Sequence, residues 1–326
     1  MKRTKISKKP DAILCSDIHL REDTPTCRTD DYQTAQWKKL AFIRHLQLEY
    51  NCIVLHGGDL FHHWKPSPQL LSMAILNLPA KFHTIYGQHD LPQHKFDLRH
   101  KSGIHTLATD STLTVLEECH YGQKPIKGSI VTRMTAKGEK IDTIPIQKIM
   151  SQYIEMGGRN ILVWHKMVWQ GKKLWPDQVD PSAKRILKQY PDYDLIVTGD
   201  NHKPFVEEYT VYLKSDPTKY VRRLLVNPGS MMRMTADQID HKPRVYLWYA
   251  DTNTVQPVYL PIESGVITRE HITRTEERND RIDAFISKLD TEWEASVSFE
   301  ENLERFAKSN NVRQSVMDII IKAIGL

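Results

Sequence analysis

The chain has 326 residues, of which 40% are hydrophobic and 26% are charged, as is ordinary for a soluble globular protein. No stretch approaches the roughly 20 apolar residues that a membrane-spanning helix needs, so no membrane partner is expected. The formal net charge is +5, but the first ten residues contain five basic residues and no acidic one. The remaining chain carries 40 basic and 40 acidic residues, so net charge alone gives no argument for nucleic-acid binding.

The basic start of the chain, residues 1–10, is predicted to be a flexible tail, and whether it contacts phosphates or only aids solubility stays open. It has no apolar segment behind it, so no secretory signal is expected and the protein should stay in the cytoplasm. The four cysteines show no CxxC or CxxH spacing, which fits a reducing compartment.

Strands and helices are predicted to alternate at the start of the chain. Residues 11–19 contain a short apolar run typical of a buried strand. Apolar residues then recur at helical spacing from about Tyr32 to Tyr50. A second strand ends at Asp59, a second helix is expected over about Gln69–Asn77, and a third strand ends within 82–90. This alternation predicts a layered α/β architecture.

The middle of the chain gives a weaker pattern. Short strands are expected within 111–122 and 128–146, followed by a helix over about Ile146–Met156. Further on, we expect a helix over about Pro181–Tyr190 and a hairpin that turns at Asp251–Thr254.

The last part of the chain, residues 267–326, has no proline and one glycine. Its apolar spacing predicts helices over about Glu276–Glu294, Ser298–Lys308 and Val312–Ile324. Helices this short rarely persist with an uncovered apolar face. The segment is therefore either an appendage that packs on the main domain or a docking surface for a helix of a partner.

Six apolar runs along the chain end in a polar turn, and the ends of strands in α/β sheets are common places for functional sites. The runs are residues 11–19, 51–59, 82–90, 160–166, 194–202 and 223–230. The candidate site residues at their ends are Asp17, His19, Asp59, Gln88, His89, His165, Asp200 and His202.

Any one of these residues is weak evidence, because a lone His is more often structural and an Asp after Gly is more often a turn or cap residue. The joint pattern favours a shared site. Carboxylates with imidazoles suit Mn, Fe or Zn better than Ca or Mg. The Asp17-Ile18-His19 spacing is expected to place both side chains on one side of an extended segment. Asp59 follows two glycines and is the candidate to bridge two ions.

The ordered motifs resemble those of the calcineurin-like metallophosphoesterases, whose pattern is DxH, GD, GNHD, H and GHxH. Within that family, the segment GGDLFHHWKPSP at 57–68 and NPGS at 227–230 are most similar to DNA double-strand-break nucleases of the SbcD type, including their bacteriophage relatives. The resemblance implies a four-layer α/β/β/α sandwich over residues 11–266, followed by the helical appendage at 267–326.

The resemblance also implies roles for individual residues. His89 would stabilise the transition state or protonate the leaving oxygen, with Asp90 orienting it, and His62 would lie near the scissile phosphate. Two divalent metal ions are implied, most simply Mn, with Mg, Fe or Zn as alternatives. The first ion would be held by Asp17, His19, Asp59 and His202, and the second by Asp59, Gln88, His165 and Asp200.

The sequence departs from the family pattern at two positions, both at the second ion. Gln88 replaces Asn, which moves the amide oxygen one methylene outward, and Asp200 replaces the first His of GHxH. An anionic oxygen ligand makes this site harder, which favours Mn or Mg. A degraded second site is the alternative.

The resemblance predicts a metal-dependent phosphodiesterase that cleaves DNA in repair, recombination or phage DNA processing, in a bacterial or phage-infected cell. It implies an SbcC-type coiled-coil ATPase as a partner, bound through the C-terminal helices, and allows a homodimer. Two alternatives are a phosphatase or small-molecule phosphodiesterase of the same fold, and a non-catalytic scaffold. The candidate phosphate contacts are Lys65, Lys166, Lys203 and Arg233.

Overall fold

The computed structural model describes residues 9–116, 133–137, 159–213, 216–292 and 298–324. Contacts between Cα atoms divide the chain into two compact units, Met1–Ile267 and Thr268–Leu326. Both β-sheets lie in the first unit, and the second consists of helices where it is described.

The strands of the described residues follow the chain in this order: β1 (Ala12–Cys15), β2 (Ile53–His56), β3 (Phe82–Thr84), β4 (Thr114–Val115), β5 (Arg133–Lys137), β6 (Asn160–Trp164), β7 (Leu195–Thr198), β8 (Phe205–Leu213), β9 (Asp216–Asn227), β10 (Arg244–Tyr249) and β11 (Thr254–Tyr259). The helices are α1 (Tyr32–Tyr50), α2 (Pro68–Asn77), α3 (Gly103–Thr109), α4 (Ala183–Gln189), α5 (Glu270–Glu292), α6 (Phe299–Ser309) and α7 (Gln314–Ile324).

Two sheets are formed by the described strands. The first has the order β11-β10-β1-β2-β3-β4, and the second has the order β5-β6-β7-β9-β8. The strands β1 to β4 are parallel, as are β5, β6, β7 and β9, while β10, β11 and β8 pair antiparallel with their neighbours. The parallel strands β1 and β2 of the first sheet, and β6 and β7 of the second, are each followed at their carboxyl ends by loops. Such loops are common places for a functional site.

The two sheets pack face to face, which period-2 alternation along each strand makes possible. In β1, Ala12 and Leu14 pack with Val163 and Val197 of the second sheet, whereas Ile13 points to the opposite face, towards α1 and α2. The outer face of the second sheet packs on α4. The predicted four-layer α/β/β/α sandwich with C-terminal helices is thus confirmed.

The helices of the first unit begin where local capping chemistry predicts. The Asp31 side chain accepts a hydrogen bond from Thr34 N at 3.0 Å and starts α1, which has the predicted bounds Tyr32–Tyr50. Ser67 caps α2 in the same way, with Pro68 as its first residue. No helix among the described residues has the length and apolar content to cross a membrane.

The largest element that sequence reasoning missed is the β8–β9 hairpin. We predicted a strand only within 223–230, but β9 begins at Asp216 and pairs with β8 from Phe205 onwards. Charged residues such as Glu207 and Arg222 break the apolar pattern there. The predicted helix Ile146–Met156 and most of the strands predicted within 111–146 lie outside the described residues.

The second unit contains α5, α6 and α7, close to the predicted helices. The Ser298 side chain accepts from Glu301 N at 3.2 Å and caps α6 at the predicted start of that helix. The docking role of these helices stays a prediction.

Candidate metal centre

Five of the predicted ligands converge where the strand ends of both sheets meet. One group joins Asp17, His19 and His202, and another joins Asp17, Asp59 and His165, with the potential ligand atoms of each group within 4.8 Å of one another. Asp17 belongs to both groups. We call the group with His19 and His202 the first half of the cluster and the group with His165 the second half. Asp17 lies between the two halves together with Asp59, the residue expected to bridge two ions.

The backbone at these residues is strained. Asp17, His19, Asp59 and Asp200 have φ angles of 49°, 48°, 57° and 73°, in the left-handed region that side chains other than glycine rarely adopt. The expectation of an extended Asp17-x-His19 segment is therefore wrong: β1 ends at Cys15, and both residues have left-handed backbone conformations, with Asp17 N donating to Gly58 O at 3.1 Å and His19 N donating to Asp59 O at 3.0 Å. Strain of this kind is typical of functional sites, where the surrounding fold imposes it.

The first half of the cluster consists of closely spaced imidazole nitrogens and carboxylates. His19 Nε2 lies 3.2 Å from His202 Nε2 and 3.7 Å from Asp59 Oδ2. His202 Nε2 lies 4.0 Å from Asp17 Oδ1. Two ring nitrogens this close to each other and to carboxylates are suited to sharing one cation.

Unsatisfied buried atoms test whether a metal fits. Asp17 Oδ2, His19 Nδ1 and His165 Nε2 are buried and have no hydrogen-bond partner among the described residues. Such groups are costly to bury without a partner. A divalent cation would satisfy the carboxylate oxygen and the His165 nitrogen together, so the donor set fits metal ions of the kind that bind mixed oxygen and nitrogen ligands.

The second half of the cluster is built around His165, which follows β6. Its Nδ1 donates to Gly57 O at 2.8 Å, which leaves Nε2 to face Asp59 Oδ2 at 3.4 Å. A backbone carbonyl that fixes the tautomer of a ligand imidazole is a common support for metal binding.

The two unusual residues, Gln88 and Asp200, contact each other. Gln88 Nε2 donates to Asp200 Oδ1 at 2.6 Å, and Asp200 N donates to Asp17 Oδ1 at 2.9 Å. Asp200 is thus tied to the cluster by its backbone, and Gln88 by the Asp200 side chain. Their predicted role as ligands of a second ion stays a prediction.

In the protein without metal, burial and the charges of neighbouring groups shift the pKa values of the candidate ligands. Burial raises the pKa of Asp17 and lowers the pKa of His19 well below its usual range. Burial also opposes the charge on His165 and on Asp59, but their attraction for each other dominates. It raises the pKa of His165 to about 10 and, with His165 as the main partner, holds the pKa of Asp59 below its usual range.

His89 and His62 stand beside the first half. Together with His19 they form a third group whose ligand atoms lie within 4.8 Å. His89 Nδ1 donates to His62 O at 3.0 Å, so its Nε2 is the atom left to hold or give a proton. His89 N donates to Asp59 Oδ1 at 2.9 Å, which ties this candidate acid to the cluster.

We expected Asp90 to orient the His89 ring, but its carboxylate makes no hydrogen bond to that ring. Its carboxylate accepts from Leu60 N at 3.2 Å, Phe61 N at 2.9 Å and Gly87 N at 3.0 Å. Burial and the nearby Asp59 raise the pKa of Asp90 to about 7. Asp90 therefore holds together the loops after β2 and β3, and the His62 carbonyl takes the orienting role that we predicted for Asp90.

Gly87, to which we assigned no role, lets the backbone of the loop after β3 lie directly against Asp59. A Cβ atom there would lie 2.1 Å from Asp59 Oδ1 and 2.5 Å from Asp59 N. Any side chain at position 87 would therefore displace the shared carboxylate. Gly87 begins the segment Gly87-Gln88-His89-Asp90, which matches the GNHD motif of the family except at Gln88, and this was the available indication.

Asn227, the first residue of NPGS, supports the His202 loop. Its Nδ2 donates to Asn201 O at 2.6 Å and Lys203 O at 2.8 Å, on both sides of His202. We had expected only a turn here. An Asn directly after the apolar run Leu224–Val226, where a buried strand is predicted to end, was the indication that we missed.

The candidate phosphate contacts divide into two groups. Lys65 and Lys203 are exposed and Lys166 is half-buried. Arg233 is buried instead, and its guanidinium donates to Ile239 O and Glu263 O.

Comparison with known proteins identifies the family of this chain. The sequence matches the calcineurin-like phosphoesterase superfamily domain over residues 11–247. The chain is similar to a metallophosphoesterase from Sphaerobacter thermophilus, at 12% identity and a TM-score of 0.30, covering 77% of this chain and 89% of that one. It is also similar to a conserved uncharacterized protein from Streptococcus pneumoniae TIGR4, a predicted phosphoesterase, at 11% identity and a TM-score of 0.28, covering 80% and 97%.

None of the curated proteins matches the chain. The superfamily match covers well over half of the sequence and contains every candidate ligand from Asp17 to His202. The chain belongs to the calcineurin-like phosphoesterase superfamily.

Proposed function

We propose that this phosphoesterase is a metal-dependent nuclease that hydrolyses phosphodiester bonds of DNA. The observation that carries the proposal is the cluster of Asp17, His19, Asp59, His165 and His202, with buried ligand atoms that lack partners, next to the His62–His89 pair. Divalent ions held there would polarise a phosphoryl oxygen and lower the pKa of a water molecule.

The side chains of the cluster have separate tasks in this proposal. Asp17 and Asp59 supply negative charge between the two halves. Nε2 of His89 is the atom that would pass a proton to the leaving oxygen, because its Nδ1 is committed to the His62 carbonyl. Lys65 and Lys203, both exposed, supply positive charge that a DNA backbone can contact.

Two features favour DNA over a small phosphoester as the substrate. The segment 57–68 resembles that of SbcD-type nucleases, and Lys65 and Lys203 are exposed. The same resemblance supports an SbcC-type ATPase as partner, docked on the C-terminal helices. Ile319, 69% exposed on α7, is a position to test: Ile319→Glu should abolish copurification with that subunit.

The decisive experiment compares cleavage of linear duplex DNA by full-length wild type, His89→Ala and Asp59→Ala after loading with Mn. We expect a loss of about 100-fold or more for His89→Ala, as for removal of a general acid. Asp59→Ala should lose both metal and activity. His105→Ala, which changes an exposed His on α3, is the matched control and should keep full activity.

Equal cleavage by all variants would contradict the proposal. Turnover of a small phosphodiester without DNA cleavage would select the phosphatase or small-molecule alternative. Less than one metal ion per chain after Mn loading would select the scaffold.

A further inference from the structure

The first unit contains a polar pocket apart from the candidate metal cluster. None of its lining residues belongs to that cluster. It has a volume of about 60 Å³. Since one water molecule occupies about 10–15 Å³ by this measure, the pocket has room for several waters or one small polyatomic ion. It is lined by Arg28, Asp30, Ala35, Lys38, Lys39, Arg233, Pro261, Ile262 and Glu263.

Positive charge is concentrated in the buried part of this pocket. Arg28, Lys39 and Arg233 are 8%, 5% and 6% exposed. Asp30 is the carboxylate beside them, while Glu263 is exposed and pairs at 3.5 Å with the exposed Lys38. Three buried cations thus face one largely buried carboxylate, an imbalance that proteins usually avoid unless a partner anion is present.

The two arginines are fixed in place. Arg28 Nε and Nη2 both donate to the Asp30 carboxylate, Nε to Oδ1 at 2.7 Å, and Arg28 Nη1 donates to Arg233 O at 3.0 Å. Arg233 Nη2 donates to Glu263 O at 2.6 Å, and Arg233 Nη1 donates to Ile239 O at 3.3 Å. Each guanidinium has five N–H donors, so both arginines keep donors beyond these bonds.

Lys39 has no ion pair among the described residues, because Asp30 and Glu263 attract its ammonium group only from beyond 4 Å. Its Nζ donates only to Ala35 O, at 3.4 Å, and no carboxylate of the described residues lies within 4 Å of it. Burial, followed by repulsion from Arg28 and Arg233, lowers the pKa of Lys39 to about 8. A bound anion would relieve both the repulsion and the missing hydrogen bonds.

We propose that the pocket formed by Arg28, Lys39 and Arg233 binds an oxyanion of the phosphate class. A tetrahedral oxyanion carries acceptors on every side and up to two negative charges. It can therefore accept from the remaining N–H groups of both arginines and from one ammonium together. An apolar ligand would leave the same donors unsatisfied, and a cation would add to the repulsion.

Isothermal titration of the full chain with inorganic phosphate tests the proposal, at constant ionic strength and with EDTA so that no metal holds phosphate elsewhere. Wild type should bind one phosphate, and Lys39→Met should bind about tenfold more weakly or worse, as expected for loss of a charged hydrogen bond. Lys188→Met, which removes an exposed charge at the end of α4, is the control and should match wild type.

Equal affinity of wild type and Lys39→Met would overturn the proposal, as would no binding by wild type at millimolar phosphate. A parallel titration with adenosine monophosphate identifies the source: tighter binding than phosphate indicates a phosphomonoester, and weaker binding indicates the free ion.

A measurement on wild type keeps the test valid if Lys39→Met does not fold. Nitrogen NMR of the lysine ammonium groups follows the pKa of Lys39 with and without phosphate. Binding in the pocket should raise this pKa, because a nearby anion favours the charged form. An unchanged pKa would overturn the proposal.

Discussion

The two halves of the metal cluster differ in how the protein prepares them. In the first half, burial keeps His19 neutral, and its Nε2 already faces His202 Nε2 at 3.2 Å. In the second half, the charge of Asp59 keeps a proton on His165, and Gln88 and Asp200 are bonded to each other. The first half is ready for a cation, whereas the second must lose a proton.

The two departures from the family pattern contact each other, because Gln88 Nε2 donates to Asp200 Oδ1 at 2.6 Å. We predict that Asp200 gives the second half an anionic oxygen ligand and that Gln88 supports this oxygen, so that the two substitutions act as a pair.

The largest effect is expected where the halves meet. Asp59→Asn removes the charge that faces both His19 and His165, so both ions should bind about 100-fold more weakly or worse. Metal content by mass spectrometry after Mn loading and dialysis measures this. Loss of a single ion would show that Asp17, and not Asp59, joins the halves.

Asp200→Ala should separate the halves. We expect one ion to remain and the other to be weakened by about 10- to 100-fold. Asp200→His is the matched variant, because it restores the usual nitrogen ligand, and it should shift the preference of the weakened site from Mn towards Zn. Competition titrations between the two metals give the answer. An unchanged preference would mean that Asp200 is not a ligand.

The pH dependence of metal affinity should also differ between the halves. With a pKa of about 10, His165 carries a proton at neutral pH, and a metal ligand must be neutral. Affinity at the second half should therefore rise by about tenfold for each pH unit between 6 and 8. Electron paramagnetic resonance of free Mn, with Asp200→Ala to isolate the first half, measures both slopes. If metal affinity rose equally steeply with pH in both halves, the two halves would not differ in the protonation of their ligands.

The smallest effect is expected for Gln88→Asn, which restores the family residue but shortens the reach to Asp200. Affinity at the second half should fall less than about tenfold, as for loss of one supporting hydrogen bond. The first half should not change. A gain in affinity would show that Asp200 needs no support from Gln88.

Much of the first unit could be predicted because its elements have local causes. The bounds of α1 follow from the Asp31 cap and from the apolar spacing of its buried face. The β8–β9 hairpin was missed because the consecutive charged residues Glu207-Glu208 and Arg222-Arg223 interrupt the apolar runs of its two strands.

The candidate site shows the same division. Its ligand set was predicted as a pattern of strand ends, but three contacts were not: Asp90 to the Phe61 backbone, His89 to the His62 carbonyl, and Asn227 to the His202 loop. Each joins residues on different loops, and sequence spacing carries no information on the direction of a side chain across a loop.

The sequence by itself determined the strand ends, their order and the chemical types of the ligands, because an apolar run followed by a polar turn is a local feature. Only the tertiary structure decided which atoms meet: the positive φ angles of Asp17 and His19, the raised pKa of His165 beside Asp59, and the buried Lys39 beside two arginines. The physical reason is that distances, burial and charge between residues far apart in the chain arise only when the two sheets and their loops pack together.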